Sequence, residues 1–125
     1  MNDRELLELA ARAAGIKARW FRVNKWRQVG GNKMKTGQED VFGTHHRKPW
    51  NPLTDDGDAL RLAVQLDITI GPEHPDVVGK SLCRASWNNR NMSLGEFGDG
   101  DKPSAYRRAI VRAAAEIGKS MGGGE

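Results

Sequence analysis

Leu6, Leu9, Ala10 and Ala13 recur at three- and four-residue spacing, which predicts an opening helix. Asn2 or Asp3 is placed to cap it, Glu5 stands in the first turn where the helix dipole favours an acid, and Gly15 supplies a left-handed stop. From Lys17 to Val29 the period shortens to that of a strand. Ala18, Trp20 and Arg22 fall on one face, and Phe21 and Val23 on the other. Residues 30–37, Gly-Gly-Asn-Lys-Met-Lys-Thr-Gly, read as a flexible loop, and Glu39 to Thr44 as a return strand. The pair predicts a β-hairpin with a long, basic tip.

A second helix is expected from Thr54 or Asp55 to about Leu66, because Pro52 turns Asn51 away from helical angles and the acids that follow favour an N-terminus. Ala59, Leu60, Leu62, Ala63, Val64 and Leu66 leave only Arg61 and Gln65 as clearly wet positions. Such a helix is expected to be covered on more than one side and to be central to the core. Asp67 to Ile70 then alternates like a strand that Gly71-Pro72 ends. Glu73 to Lys80 is read as a loop with apolar positions at Val77 and Val78.

Ser81 to Trp87 alternates again, with Leu82 and Arg84 on one face and Ser81, Cys83, Ala85 and Trp87 on the other. A turn over Asn88 to Asn91 leads to Met92–Phe97 as its antiparallel partner. Gly98 to Pro103 delivers Ser104 as the cap of a third helix, Ala105 to Ile117. Its stripe is Tyr106, Ala109, Ile110, Ala113, Ala114 and Ile117, with Gly118 as its end. The order α-ββ-α-β-ββ-α predicts an α+β fold, with three helices on one face of a small, mainly antiparallel sheet of about four to five strands. Residues 1–118 are read as a single α+β domain and 119–125 as a flexible C-terminal tail; 125 residues suffice for one core of this kind.

Charge adds a location to this outline. The net charge is only +4, but nine basic residues stand between Lys17 and Lys48 against Glu39 and Asp40. Trp20, Phe21 and Trp26 are interleaved with Arg19, Arg22, Lys25 and Arg27, and Lys33 and Lys35 follow in the tip. This is the composition of a surface that stacks bases and neutralises phosphates. The competing reading is a half-buried strand whose aromatic face is core and whose basic face is wet. Either way, Arg19, Trp20, Arg22, Lys25, Trp26, Arg27, Lys33 and Lys35 are the candidate partner-binding residues.

Other chemistry finds less support. Cys83 is the single cysteine, so an intrachain disulfide and a multi-cysteine zinc site are excluded, and its place in a strand suits an inert buried thiol. No serine sits in a nucleophile elbow, and no glycine loop is followed by the Lys-Ser/Thr of a phosphate cradle. Asp55, Asp56 and Asp58 read as a helix start; a calcium loop counted from Asp55 puts Leu66 at the twelfth position, where an acid is required. His45 and His46, being adjacent, point to opposite faces of a strand, and His74 lies in a loop. A composite site of His45 with Asp55, Asp56 and Asp58 at the Trp50 turn is the alternative that would make the protein a small metal-dependent enzyme. Enzyme activity is the minority reading, and no catalytic residue, metal or cofactor is assigned. Acids at Asp3 and Glu5, and the lack of any apolar run near the about 20 residues that span a bilayer, point to an intracellular protein with no membrane partner.

Trp50-Asn51-Pro52-Leu53, followed by Asp55-Asp56-Gly57-Asp58 and Ala59-Leu60-Arg61-Leu62-Ala63-Val64, resembles a family of small, functionally uncharacterised proteins encoded by tailed bacteriophages and prophages. Glu5 to Gly15 is similar to the opening helix of that family, and Arg107 to Gly118 to its closing helix. The resemblance covers the helices and leaves out 17–47 and 71–103. It implies an accessory protein in the cytoplasm of a bacterial host. The expected role is non-enzymatic binding of a host or phage protein, with nucleic acid as the alternative partner of the basic hairpin.

Overall fold

The computed structural model describes residues 1–73, 82–89, 91–98 and 101–121. The loop read over 74–80 with Val77, Val78 and His74, together with Ser81, Arg90, 99–100 and the last four residues of the expected tail, lies outside the described residues. The fold is α+β with three helices, and its strands form two separate three-stranded antiparallel sheets rather than one sheet of four to five. Two compact units result: Lys17–Trp50, and Met1–Ile16 with Asn51–Glu125.

The helical unit holds α1 (Asp3–Ala14), α2 (Asp56–Gln65), β4 (Thr69–Glu73), β5 (Leu82–Trp87), β6 (Met92–Phe97) and α3 (Lys102–Met121). α1 forms as its pattern dictates. The Asn2 side chain accepts from the Glu5 N–H, and Gly15 at φ 69° lets its N–H close on Ala11 and Arg12. Leu6, Leu7, Ala10, Ala11, Ala13 and Ala14 are buried.

α3 is the central helix, in correction of the role expected for α2. It packs on α1, α2, β5 and β6, and Ala109, Val111, Ala113 and Ala114 are wholly inaccessible. Alanine is the reason. A side chain of one carbon keeps the helix surface narrow, so neighbours can close on several sides of it. α2 buries only Ala59, Leu62 and Ala63, while Leu60 and Val64 are 62% and 69% exposed. An apolar pattern that runs around a short helix does not say which stripe will meet a partner.

The bounds of α3 also differ from those expected. Asp101, not Ser104, is the cap, its carboxylate accepting from the Ser104 N–H at 3.0 Å. The helix continues through Gly118 to Met121. A Cβ on Gly118 would lie 2.1 Å from the Leu9 carbonyl oxygen, so this glycine lets α1 and α3 approach rather than ending a helix. Charged groups tie α3 to its neighbours: Arg108 bonds Asp3 of α1 at 3.1 Å, and Arg112 bonds Glu96, in the Met92–Phe97 strand, at 2.9 Å.

β5 alternates as its sequence predicts, with Cys83, Ala85 and Trp87 buried, and pairs with β6 around the Asn88–Asn91 turn. β4 begins at Thr69 and carries Gly71 and Pro72 inside it, opposite Arg84 and Cys83. The expected stop at Gly71-Pro72 is therefore wrong. β4 is an edge strand, where a residue without an N–H is tolerated. Among the described residues, no helix is long and apolar enough to cross a membrane.

Candidate functional site

The Lys17–Trp50 unit is a ribbon built from β1 (Arg19–Val29) and β2 (Asn32–Thr44), with a 3₁₀ turn at His45–Arg47 and the two-residue β3 (Lys48–Pro49) at the β2 edge. The long loop expected over 30–37 is instead a two-residue turn. Val29 pairs directly with Asn32 across Gly30-Gly31, and β2 begins seven residues before the Glu39 start read from sequence. Two adjacent glycines close a hairpin without a steric penalty, which lets polar residues on either side continue the ladder.

The root of the ribbon is packed. The rings of Trp20 and Phe42 lie 4.8 Å apart, those of Phe42 and Trp50 6.1 Å apart, and Phe42 and Trp50 are buried. Trp20 is thus part of a small aromatic core and not a free stacking surface. Gly43 would place a Cβ 2.4 Å from Phe21 and 2.7 Å from the Lys48 carbonyl oxygen, so the strands close tightly here. Arg22 is committed to Asp40 at 3.3 Å, and Asn24 accepts from Gln38 at 3.1 Å.

Beyond that root, every residue from Asn24 to Asp40 is exposed. Lys25, Arg27, Lys33 and Lys35 occupy this stretch, and among the described residues none of them makes an ion pair. Trp26, Val29 and Met34 stand beside them at 58%, 47% and 54% exposure. Of the eight candidate residues, the structure therefore groups Lys25, Trp26, Arg27, Lys33 and Lys35. It places Arg19 and Trp20 at the root and neutralises Arg22. Val29 closes the strand expected from sequence and Met34 lies in the expected loop, so neither stood out as a binding residue; continuing the strand period through the Gly-Gly turn is the signal that places them together.

Register decides how the cations are shared between the faces. Lys25 pairs with Gly37 but Trp26 pairs with Lys35, so Thr36 is an extra residue in β2. Gly37 takes φ 148°, which glycine alone adopts easily, and the Thr36 hydroxyl donates to the Lys25 carbonyl at 3.4 Å. Partners across an antiparallel pair share a face, and successive residues alternate. Trp26, Lys33 and Lys35 consequently share one face, and Lys25, Arg27, Val29 and Met34 the other. Without the bulge, Lys35 would oppose Arg27 and all four cations would crowd one face.

The acidic turn resolves differently. Asp55 caps α2 by accepting from the Asp58 N–H at 2.8 Å. Asp58 accepts from the Asn51 N–H at 3.0 Å and from Arg61 at 2.7 Å, and Asp56 bonds Arg107 at 2.7 Å. Arg107 also donates to the Leu53 carbonyl at 2.9 Å, and the Asn51 side chain accepts from the Leu53 N–H. Pro52 is fully buried, and a Cβ on Gly57 would lie 3.3 Å from the Arg61 guanidinium and the Asp55 carboxylate. Each carboxylate thus has a donor that shapes the turn. Among the described residues, no group of three or more His, Cys, Asp or Glu is arranged to hold a metal ion.

His45 and His46 do not alternate across a strand. Their rings lie 3.8 Å apart in a tight turn in which His46 and Arg47 have positive φ. In the helical unit, Cys83 is buried and shares a hydrogen bond with Tyr106. Burial, then negative charge at the Cys83 sulfur and that hydrogen bond, raise the phenol above its ordinary value of 10.0. No protein-family model, curated protein or solved structure matches the chain.

Proposed function

We propose that this is a phage- or prophage-encoded accessory protein that acts in the bacterial host as a non-enzymatic binding module, with the distal ribbon as its binding element. The observation that supports this reading is the run from Asn24 to Asp40, exposed on both faces and carrying four cations without acidic partners among the described residues, together with Trp26, Val29 and Met34. Cations left without acids by the fold are available to an external anion, and exposed apolar side chains beside them supply contact area on binding. The acidic turn, by contrast, has its carboxylates occupied by the scaffold. The resemblance of the helices to a phage family supports the accessory role.

The test is capture from a bacterial lysate by the wild-type protein and by a variant with Lys25, Arg27, Lys33 and Lys35 all replaced by Gln, with thermal denaturation run on both. The wild type should retain a partner that the variant loses while the melting temperature stays the same. Equal capture by a folded variant would show that the ribbon is not the binding element.

A further inference from the structure

We infer that the ribbon's partner is double-stranded DNA, entered through the major groove; this rests on the reading of the ribbon as the binding element. Three features of the ribbon favour a groove over a flat or single-stranded ligand. First, the bulge at Thr36 divides the free cations between both faces, Lys33 and Lys35 on one and Lys25 and Arg27 on the other. A ribbon lying on a flat anionic surface would use one face and leave the other pair idle. A ribbon between two phosphate walls uses both.

Second, the dimensions agree. Six residues separate Lys25 from Asn32 across the turn, and at about 3.3 Å per residue the cationic arm reaches roughly 20 Å from Asn24 to Gly30. The B-form major groove, about 12 Å wide, admits a two-stranded ribbon, whereas the minor groove at about 6 Å is too narrow for one without deformation. The deep, narrow major groove of duplex RNA excludes it as well.

Third, the aromatic content is wrong for a single strand. Platforms that hold single strands stack successive bases on several exposed rings. Here Trp20 and Phe42 are stacked on each other and Phe21 is half-buried, which leaves Trp26 alone in the distal arm. Trp26 stands beside Lys33 and Lys35, and Val29 and Met34 beside Lys25 and Arg27, so each cationic face carries exposed apolar contact area.

The experiment is fluorescence anisotropy with a labelled, mixed-sequence 20-base-pair duplex and with its single strands, over a range of salt. Four phosphate contacts predict that the logarithm of the binding constant falls against that of salt with a slope of about −3.6, or about 150-fold between 50 and 200 mM salt. The double variants Lys25→Gln with Arg27→Gln, and Lys33→Gln with Lys35→Gln, should each reduce that slope by about 1.8.

Single strands bound as tightly as the duplex, or a salt slope that responds to only one of the two double variants, would overturn the inference. Circular dichroism on both double variants checks that each keeps its fold. Failure here is distinct from failure of the underlying reading. A partner protein captured through the ribbon after nuclease treatment, with no duplex binding, would refute DNA and keep the binding element. Capture unaffected by loss of all four cations would refute both.

Discussion

The two compact units spend similar residue types in opposite ways. In the helical unit several arginines are tied to a backbone carbonyl or a carboxylate: Arg107 holds Leu53 and Asp56, Arg108 holds Asp3 and Glu96, and Arg112 holds Glu96. In the distal ribbon, Lys25, Arg27, Lys33 and Lys35 have no such partner among the described residues. Apolar side chains show the same division: Ala109 and Val111 are fully enclosed, whereas Met34 and Trp26 are more than half exposed. Buried apolar contact is therefore concentrated in one unit, and exposed charge and apolar area in the other. Burial drives the first because removing apolar area from water is favourable, and exposure in the second leaves that same free energy for a partner.

The contrast can be broken at the α1–α3 contact first. Gly118→Leu drives a branched side chain into the Leu9 backbone, which cannot rotate away, and should cost about 3 kcal/mol or more by thermal or urea denaturation. A melting temperature close to wild type would mean that α1 and α3 are not in this contact. Next, Leu62→Ala should cost about 2–5 kcal/mol, since its side chain is almost completely buried. Leu60→Ala, two residues away, should change stability by no more than about 0.5 kcal/mol. Equal effects at the two positions would restore α2 to the central place it was expected to hold.

Smaller effects sharpen the picture. Asp55→Ala removes the α2 cap and should cost about 1 kcal/mol, with Asp55→Asn recovering most of it. Tyr106 gives a pH signature. Its phenol is raised in the folded state, so its contribution is fully present below the ordinary phenol value of 10.0 and is lost as pH rises beyond it. Tyr106→Phe should flatten the alkaline decline in stability relative to wild type; an unchanged profile would count against the raised phenol. Last, replacing Lys25, Arg27, Lys33 and Lys35 with Gln should move stability by no more than about 0.5 kcal/mol, because exposed side chains without partners contribute little to folding. A large loss would give the ribbon's charges a structural role.

Local signals carried the reading of α1, whose cap, period and terminal glycine all lie within one segment, and of β5, whose strict alternation marks its buried face. They also marked Asp55 as a helix start, since capping is settled within three residues. The basic stretch was visible too, but its division was not. Trp20 looked like Trp26 in sequence, and only Phe42, contributed by the other strand, makes one a core residue and leaves the other free.

What the chain's order of residues settles is thus the caps of α1 and α2, the alternation of β5, the α+β class and the site of excess positive charge, because each depends on neighbours a few positions apart. What it leaves to the tertiary structure is the choice among equivalent options. Whether Gly118 ends a helix or admits one depends on Leu9, over a hundred residues away. Whether α2 or α3 is central depends on which apolar stripe finds partners. Whether four cations share a face or divide between two depends on one unpaired residue, Thr36, since a slip of a single position in a strand reverses every side chain beyond it.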